Sequence, residues 1–463
     1  MPKKVVIIGA GPAGLAAAHF LCQDKNIQVI LIEKGKPVLK RRCPSPSKCI
    51  NCKHCDKTSG IGGAGCYSDG KFIFETILGK REIGTNLSEI VGLEKEREYL
   101  IKAKKMFEFY LNKKIISPSQ EKLTAASNIN EIAAKNDMDY IFPLQIHIGT
   151  DKLPGFISRI ESYLIKKGVK IITEEKVLRF NKNKVYTDKS TYDYDYLIVA
   201  PGRSGATWFE QQLKENSIEY DYRAIDVGFR IETDAEILKK LTRVSRDPKL
   251  IFRVPWNGDL IRTFCTCPNG IVTRESYEEH EFNLVNGASD SGIISKNSNF
   301  ALLLSIPLSH KANCNSYGEA IAKLFFKSGS NKPVLQRLGD LQNNRRSKEE
   351  KMSEWRIQPT LKDVHIGDVG FGMPFRVQNS LIWAIKKLDD SGLMQGLNQP
   401  STLIYAPEIK RYGLKIKTDE FLGTSMKKVF VAGDGSGFSR GIAGAASSGI
   451  LAAEGIIRSL KQA

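Results

Sequence analysis

The sequence has little that would mark a membrane, repetitive or disordered protein. Glycine and proline break the only long apolar stretch near the start, and no other window offers the ~20 uninterrupted apolar residues of a bilayer-spanning helix. There is no internal repeat, no low-complexity tract and no long block of charge of one sign. We therefore predict an ordinary globular protein without a transmembrane segment or a cleaved signal peptide, located in the cytoplasm.

Length and charge agree with a soluble enzyme of several domains. The chain has 463 residues, about three times a usual domain length, with 41% hydrophobic and 26% charged residues. Its formal net charge is +18, which would attract nucleic acid if the basic residues lay on one face. Because they are scattered along the sequence, we expect a solvated surface and no nucleic-acid partner.

The N-terminus has the pattern of a dinucleotide-binding unit. An apolar run at 4–8 leads into the turn Gly9-Ala-Gly-Pro-Ala-Gly14, an Ala-rich helical stretch, and a second apolar run that ends at Glu33. In such a unit Gly9 permits the tight turn, Gly11 lets the backbone approach a pyrophosphate, and Gly14 lets helix and strand pack closely. The helix N-terminus meets the phosphate charge, and the Glu33 carboxylate accepts hydrogen bonds from a ribose.

The choice between FAD and NAD depends on the C-terminus. A short apolar strand ends in Gly433 and Asp434, and it resembles the second FAD motif of flavoproteins, in which the Asp meets the ribityl chain. A glycine turn then leads into a small-residue helix that begins at Gly441. The N-terminus of such a helix stabilises negative charge on reduced flavin. These features favour FAD.

Two internal segments support the same cofactor. Residues 194–204, with Gly202 in the turn, resemble a strand and turn of flavoproteins with two dinucleotide folds. Residues 168–177, ending at Val177, resemble the strand that lines the adenine by backbone contacts. No second glycine turn of this type follows a strand, so reducing equivalents would come from a transiently bound NAD(P)H, from an electron-transfer protein or from the substrate itself.

Four cysteines lie close together after the second strand. Cys43, Cys49, Cys52 and Cys55 fall within thirteen residues and are flanked by basic residues that favour thiolates. Their spacing predicts a metal site, and the residues leave zinc and an iron-sulfur cluster open as alternatives. A redox dithiol beside the flavin and unliganded thiols in a loop are further alternatives.

Several segments together resemble one family, the poorly characterised FAD-dependent dehydrogenases (NAD(P)/FAD-dependent oxidoreductases), which are related to flavoproteins of the hydroxylase and fumarate-reductase type. The segments are residues 60–72, 147–151, 226–230, 262–270, 286–287 and 433–449. The resemblance spans nearly the whole chain. It implies FAD and redox chemistry, but it does not imply a particular substrate.

We predict an α/β fold with a discontinuous, Rossmann-like FAD-binding domain and an inserted α+β substrate domain. The FAD-binding domain is assigned to residues 1–80, 145–225 and 395–463, a helical insertion to 84–140, and the substrate or cap domain to 226–394. A substrate cavity is expected between the flavin and the inserted domain. Two catalytic candidates lie there: Arg262, to bind a carboxylate, and Tyr405, to donate a proton.

The leading functional hypothesis is hydride transfer between flavin and an unidentified small organic molecule. One alternative is a flavin electron carrier or redox sensor that is coupled to the cysteine-bound metal and passes electrons to a partner protein. Another is flavin-dependent RNA modification, which the net charge of +18 motivates.

Overall fold

The computed structural model describes residues 2–44, 52, 54–276, 282–289, 294–309, 312–410 and 413–462. Within these residues the chain forms ten α-helices. They are α1 Pro12–Leu21, α2 Ser88–Leu111, α3 Gln120–Lys135, α4 Leu153–Lys166, α5 Ala206–Glu215, α6 Ala235–Thr242, α7 Cys314–Ser328, α8 Leu338–Gln342, α9 Phe375–Asp390 and α10 Ile442–Gln462.

The same residues form five β-sheets. The strands are β1 Lys3–Ile8, β2 Ile27–Ile32, β3 Lys71–Leu78, β4 Met138–His147, β5 Lys170–Ile172, β6 Val177–Phe180, β7 Lys184–Thr187, β8 Thr191–Asp193, β9 Tyr196–Val199, β10 Tyr220–Tyr222, β11 Ile225–Asp234, β12 Lys249–Arg253, β13 Leu260–Cys267, β14 Ile271–Ser276, β15 Asn283–Ala288, β16 Asn297–Ile306, β17 Val334–Arg337, β18 His365–Ile366, β19 Leu403–Lys410, β20 Leu414–Ile416 and β21 Val429–Val431.

The first sheet is parallel and joins both ends of the chain. Its strand order is β21-β9-β1-β2-β5. Strand β21, near the C-terminus, pairs with β9, and β9 pairs with the N-terminal strand β1. The strands are short apolar runs, and β9 and β21 are buried throughout, as expected of a parallel sheet that is covered on both faces. This arrangement confirms the predicted discontinuous, Rossmann-like fold.

Helices α1 and α10 cross at very short range on this sheet. A Cβ at Gly449 would lie 2.0 Å from the carbonyl oxygen of Ala13, so any larger residue there would separate the helices. Small residues at the crossing let the two backbones touch. The C-terminal helix is therefore part of the same unit as the N-terminal glycine turn.

The second sheet has nine strands in the order β18-β17-β19-β11-β16-β13-β12-β4-β3, and the pairs between β17 and β3 are antiparallel. One face packs on helices α3, α6, α7 and α9 and forms its own hydrophobic core. Side chains alternate across a strand: Ile261 in β13 is in that core, whereas Arg262 and Phe264 point to the other face.

Some strands lie outside the domain in which we predicted them. Strands β3 and β19 fall in residues that we assigned to the FAD-binding domain. Both instead pair in the nine-stranded sheet. Residues 84–140 carry helices α2 and α3 and the start of β4. The domain boundaries stay a prediction.

Among the described residues, we find no helix with the length and apolar character that crossing a bilayer requires.

Candidate functional site

A cleft of about 2060 Å³ runs between the two large sheets. It is lined on one side by Gly11, Glu33 and Asp434, and on the other by Lys249 and Arg262. Pockets for one drug-sized ligand usually occupy about 300–1,000 Å³. The cleft therefore has room for a dinucleotide and a second molecule together.

The N-terminal glycine turn fits a dinucleotide on direct geometric grounds. Gly9 has a φ of +96°, and a Cβ there would lie 2.2 Å from the carbonyl oxygen of Ala200. A Cβ at Gly14 would lie 1.9 Å from the carbonyl oxygen of Gly9. At Gly11, by contrast, a Cβ would meet nothing within 4 Å, because this position opens into the cleft where a pyrophosphate would approach.

Helix α1 points its N-terminus at this opening. Its N-cap residue is Gly11, and no side chain of the described residues caps its first turn. Backbone N–H groups at such a terminus attract anions. The turn and the helix together form a cradle that suits the diphosphate of FAD.

Glu33 has a second task that the sequence did not reveal. Its Oε2 accepts a hydrogen bond from Ala10 N at 2.9 Å, and its Oε1 accepts from Gly35 N and Gly60 N, each at 2.9 Å. The carboxylate thus joins the glycine turn to two later loops. A carboxylate has about four acceptor positions, so hydrogen bonding to a ribose is compatible with these contacts and stays a prediction.

The C-terminal glycine turn faces the same cleft. Asp434 Oδ2 accepts from Arg203 Nε at 2.8 Å, and its side chain is 23% exposed. Burial raises the pKa of Asp434, although Arg203 and Arg440 oppose the shift. Gly433 has a φ of +82°, which favours glycine. A ribityl hydroxyl would have to share this carboxylate with Arg203.

The other predicted cofactor residues lie along the same wall. Gly202 has a φ of +61°, and a Cβ there would meet nothing within 4 Å. Gly441 directly precedes α10 and lines the cleft. Val177 is buried at the start of β6 and also lines the cleft. Gly14 alone among the predicted cofactor residues does not line it, because its role is packing.

The loop that follows β2 is anchored by Arg41, which is 2% exposed. Its guanidinium donates to the carbonyl oxygens of Asp56 at 2.9 Å, Ile61 at 2.7 Å and Gly63 at 2.9 Å. Tyr67 in turn donates its hydroxyl to the Arg41 carbonyl at 2.7 Å. These bonds fix both ends of the cysteine-containing loop against the cleft.

The predicted metal centre is not confirmed. Cys43, Cys52 and Cys55 are partly exposed and line the cleft. Cys49 lies outside the described residues. Within the part of the chain that the structure describes, no three His, Cys, Asp or Glu side chains come together as metal ligands.

Arg262 occupies the opposite wall, as predicted, but it is already paired. Its Nη2 lies 2.6 Å from Asp226 Oδ2, and the side chain is 16% exposed. Its guanidinium carbon lies 4.6 Å from the centre of the Phe264 ring, and Lys249 Nζ lies 4.7 Å from the same centre. Two cations therefore flank one aromatic ring at the surface of the cleft.

Two lysines share one carboxylate beside this ring. Lys249 Nζ lies 2.7 Å and Lys71 Nζ 3.2 Å from Asp247 Oδ2, and Lys71 has Asp69 as a second partner at 2.9 Å. Burial works against the charge of Lys71, but the two carboxylates outweigh it and raise its pKa. Burial lowers the pKa of Lys249, and the attraction of Asp247 offsets this lowering only in part.

Tyr405 does not belong to the site, which corrects the second catalytic candidate. The residue is fully buried in β19, and its hydroxyl donates to Glu232 Oε2 at 2.5 Å. Burial raises its pKa, and Glu232 adds to the shift. Because it does not line the cleft, Tyr405 is not positioned to donate a proton there.

The sequence reasoning missed Lys71, Lys249 and Arg203. The two lysines are the first residues of β3 and β12, and Arg203 follows the Gly202 turn. A charged residue at the end of an apolar strand was the available signal, because strand ends often border a site. Nothing in their spacing indicated that they share one cleft.

Two family models match the chain. Residues 224–411 match the family described as FAD-dependent protein, C-terminal domain-like. Residues 3–138 match the family described as pyridine nucleotide-disulphide oxidoreductase. An uncharacterized protein of Clostridium beijerinckii (strain ATCC 51743 / NCIMB 8052) is 24% identical over 483 residues, covering 98% of this chain and 80% of that protein.

Solved structures show only a low similarity to this chain. L-proline dehydrogenase from P. horikoshii is 11% identical with a TM-score of 0.41, covering 99% of this chain and 95% of that one. Glycine oxidase from Geobacillus kaustophilus is 10% identical with a TM-score of 0.39, covering 98% and 95%. Neither likeness is close enough to assign a substrate.

Proposed function

We propose that this chain, an FAD-dependent oxidoreductase by its two family domains, transfers hydride between flavin and a small organic carboxylate. The observation that carries the proposal is the continuity of the cleft, which joins the Gly11 turn to Arg262, Lys249 and Phe264. FAD supplies hydride acceptance or donation when bound. The residues of this chain supply binding, orientation and proton transfer.

The cofactor side of the cleft binds and orients. Gly11 and the N-terminus of α1 meet the diphosphate charge, and Asp434 accepts from hydroxyl groups nearer the centre of the cleft. The start of α10 lies at the same wall. Its partial positive charge stabilises an anion next to it.

The sheet side of the cleft selects the substrate. Arg262 presents a planar, two-donor group that matches a carboxylate, and Phe264 offers an apolar surface beside it. Asp226 holds the guanidinium in place. A carboxylate-bearing substrate of modest size satisfies both features.

Lys249 is the candidate group that accepts or donates the proton that accompanies hydride transfer. Dehydrogenation of an alcohol or amine releases a proton as well as a hydride, and double-bond reduction consumes one. An amine whose pKa is lowered by burial is suited to this exchange. Lys249 and Arg262 lie on neighbouring strands and both approach the Phe264 ring, so we expect the two groups to act on one bound molecule.

The test is a substrate screen paired with a variant. The flavin-loaded protein is mixed with 2-hydroxy, 2-amino and α,β-unsaturated carboxylates, and with the matching amides, while an artificial electron carrier is followed. We expect turnover of one carboxylate class, and we expect Arg262→Met to raise KM about 10- to 100-fold, a loss of about 1.4–2.7 kcal/mol of binding. Flavin content should not change.

Arg253→Met is the matched control. Arg253 lies at the end of β12 on the same sheet, and its exposed side chain donates to the Gly258 carbonyl at 2.9 Å. Its replacement should leave KM unchanged. If amides react as well as carboxylates, or if both variants alter KM equally, carboxylate binding by Arg262 is wrong.

The electron donor and any metal on the cysteine loop are part of the same proposal. An anaerobic absorption spectrum with metal analysis, recorded before and after addition of NADH or NADPH, addresses both. Bleaching of the flavin bands would identify NAD(P)H as reductant. Iron with a broad cluster absorbance would favour the electron-carrier alternative over direct substrate oxidoreduction.

A further inference from the structure

Two cysteines lie at the end of β13, on the wall of the cleft opposite the glycine turn. The pairing of β13 with β16 shifts in register between Phe264 and Cys267, and Cys265 adopts a φ of +48°. A bulge of this kind redirects side chains and is common beside functional sites. Neither cysteine belongs to the loop that holds Cys43 and Cys55.

The two thiols have unequal access to the cleft. Cys265 is partly exposed and lines it, whereas Cys267 is fully buried. The Cys267 thiol donates to the Cys265 carbonyl oxygen at 3.5 Å and also lies against the Cys265 thiol. A Cβ at Gly287 would lie 2.8 Å from Cys267 Sγ, so a glycine makes room for the buried sulfur.

The surroundings of Cys265 favour its thiolate. Arg230 Nη1 donates to the Cys265 carbonyl at 2.8 Å, and Lys71 Nζ donates to the Thr266 carbonyl at 2.9 Å. The neighbouring Cys267 thiol lowers the pKa of Cys265, and the cations Lys71 and Arg230 add to the shift. The neighbouring Cys265 sulfur and burial raise the pKa of Cys267.

An exposed thiolate beside a buried, protonated thiol is the arrangement that thiol–disulfide exchange requires. The first sulfur attacks because it is ionised and accessible, and the second resolves the mixed disulfide. Cα atoms in a disulfide are about 4.4–6.8 Å apart, and residues two apart are within ~7 Å even in an extended chain.

We propose that Cys265 and Cys267 are a dithiol that reduces a small disulfide whose two halves carry carboxylates. The cations of the same wall, Lys249 and Arg262, supply the charge that attracts such a disulfide into the cleft. This activity is separate from hydride transfer, because a single round needs no flavin.

The chemistry balances without another reactant. The Cys265 thiolate attacks one sulfur of the disulfide, the S–S bond breaks, and one half leaves as a thiolate. The Cys267 thiol gives its proton to this leaving group and attacks the Cys265 sulfur. The second half leaves as a thiolate, so two electrons pass from the dithiol to the disulfide and a Cys265–Cys267 disulfide forms.

The test uses the full-length, flavin-loaded protein with oxidised glutathione as the probe. After reduction and removal of the reductant, the probe is added and the peptide that contains both cysteines is weighed. In the wild type we expect loss of the mass of two hydrogens, reversed by dithiothreitol. In Cys267→Ser we expect one glutathione attached to Cys265, and in Cys265→Ser neither product. Cys314→Ser, which removes another buried thiol, should behave as the wild type.

A second measurement keeps the proposal falsifiable if a cysteine variant does not fold. Alkylation of wild-type Cys265 by iodoacetamide should already rise at a pH well below 8.5, the usual thiol pKa. The proposal fails if Cys267→Ser carries no glutathione on Cys265, if only the cysteines at 43–55 react, or if alkylation follows the usual thiol pKa. None of these outcomes depends on turnover of a carboxylate, so they are distinct from failure of the proposed function.

Discussion

The two walls of the cleft are built by opposite means. On the cofactor wall the backbone comes to the surface at Gly11 and at the starts of α1 and α10, while Gly9 and Gly14 let the turn pack closely behind it. On the sheet wall, charged side chains are buried in pairs, such as Lys249 with Asp247. Backbone donors serve any diphosphate, whereas a set of side chains selects one kind of molecule.

This difference explains what each wall tolerates. A backbone surface has almost no freedom in sequence, since a single methyl group at Gly9 or Gly14 would overlap a carbonyl oxygen. A side-chain surface permits many sequences, but each charge needs its partner because an unpaired buried charge is costly. Substitutions in the cofactor wall should therefore disrupt it by steric overlap. Substitutions in the sheet wall should destabilise it because a buried charge loses its partner.

The largest effect is expected at the cofactor wall, from Gly9→Ala compared with Gly11→Ala. The first places Cβ 2.2 Å from a carbonyl oxygen and forces alanine into a left-handed φ, so we expect little soluble protein and no bound flavin. The second enters open space at a φ of −72°. It should fold with an unchanged melting temperature and bind FAD at least about 10-fold more weakly, by about 1.4 kcal/mol.

Soluble yield, melting temperature and flavin content distinguish the two outcomes. Equal FAD affinity of Gly11→Ala and the wild type would mean that no diphosphate approaches this position. A well-folded Gly9→Ala protein would contradict the tight packing against Ala200.

The next effect is expected just behind the sheet wall, from Arg230→Met, because Arg230 donates to the carbonyl oxygen of Cys265, which lines the cleft. Arg230 Nε lies 3.2 Å from Glu408 Oε2, and both side chains are fully buried. Removal of one partner of a buried pair costs about 3–5 kcal/mol, so the urea midpoint should fall markedly. Lys239→Met is the control: Lys239 pairs with Glu236 at the surface, where a pair contributes below about 1 kcal/mol. Similar midpoints for the two variants would show that the sheet wall does not depend on its buried pairs.

The smallest effect concerns acid. Burial raises the pKa of Glu275, but Lys410 and Arg203 outweigh this effect. The pKa in the folded protein therefore lies below the ordinary value of 4.5. A carboxyl with a lowered pKa stabilises the fold above the unfolded value, and this contribution is lost as pH falls through the folded value. Between about pH 5 and pH 3, Glu275→Gln should therefore lose less stability than the wild type, by about 1 kcal/mol or less.

Thermal melts across that pH range measure the difference. Glu131→Gln is the matched control, because Glu131 pairs with Lys135 at the surface of α3 and does not line the cleft. An identical acid response of wild type and Glu275→Gln would show that the ion pairs of Glu275 are too weak to matter.

The sequence indicates the residues of the cofactor wall because they form short contiguous motifs. The turn from Gly9 to Gly14 and the pair Gly433 and Asp434 each fall within a few residues, and their geometry follows from backbone rules. The sheet wall was predicted poorly because its members come from distant strands. Lys71 and Asp247 meet although 176 positions separate them, and neither carries a local signal.

Tyr405 shows the same limit from the other side. The sequence suggests Tyr405 as a proton donor near the border between the FAD-binding and substrate domains. In the structure, however, β19 is a central strand with neighbours on both edges, and every one of its residues is buried. In such a strand the direction of one side chain depends on the register with β11 and β17. That register is a tertiary property, and the sequence near Tyr405 does not contain it.

The pairing of β21 with β9, and the packing of α10 on α1, have a consequence for synthesis of the protein. The N-terminal half of the dinucleotide fold leaves the ribosome first, yet its sheet lacks its last strand and its helix lacks its partner until residues 429–462 have been made. At about 5–20 residues per second, the nascent chain waits on the order of 20–80 s with the apolar surface of α1 uncovered. Nascent-chain chaperones therefore have a defined period in which this surface needs protection.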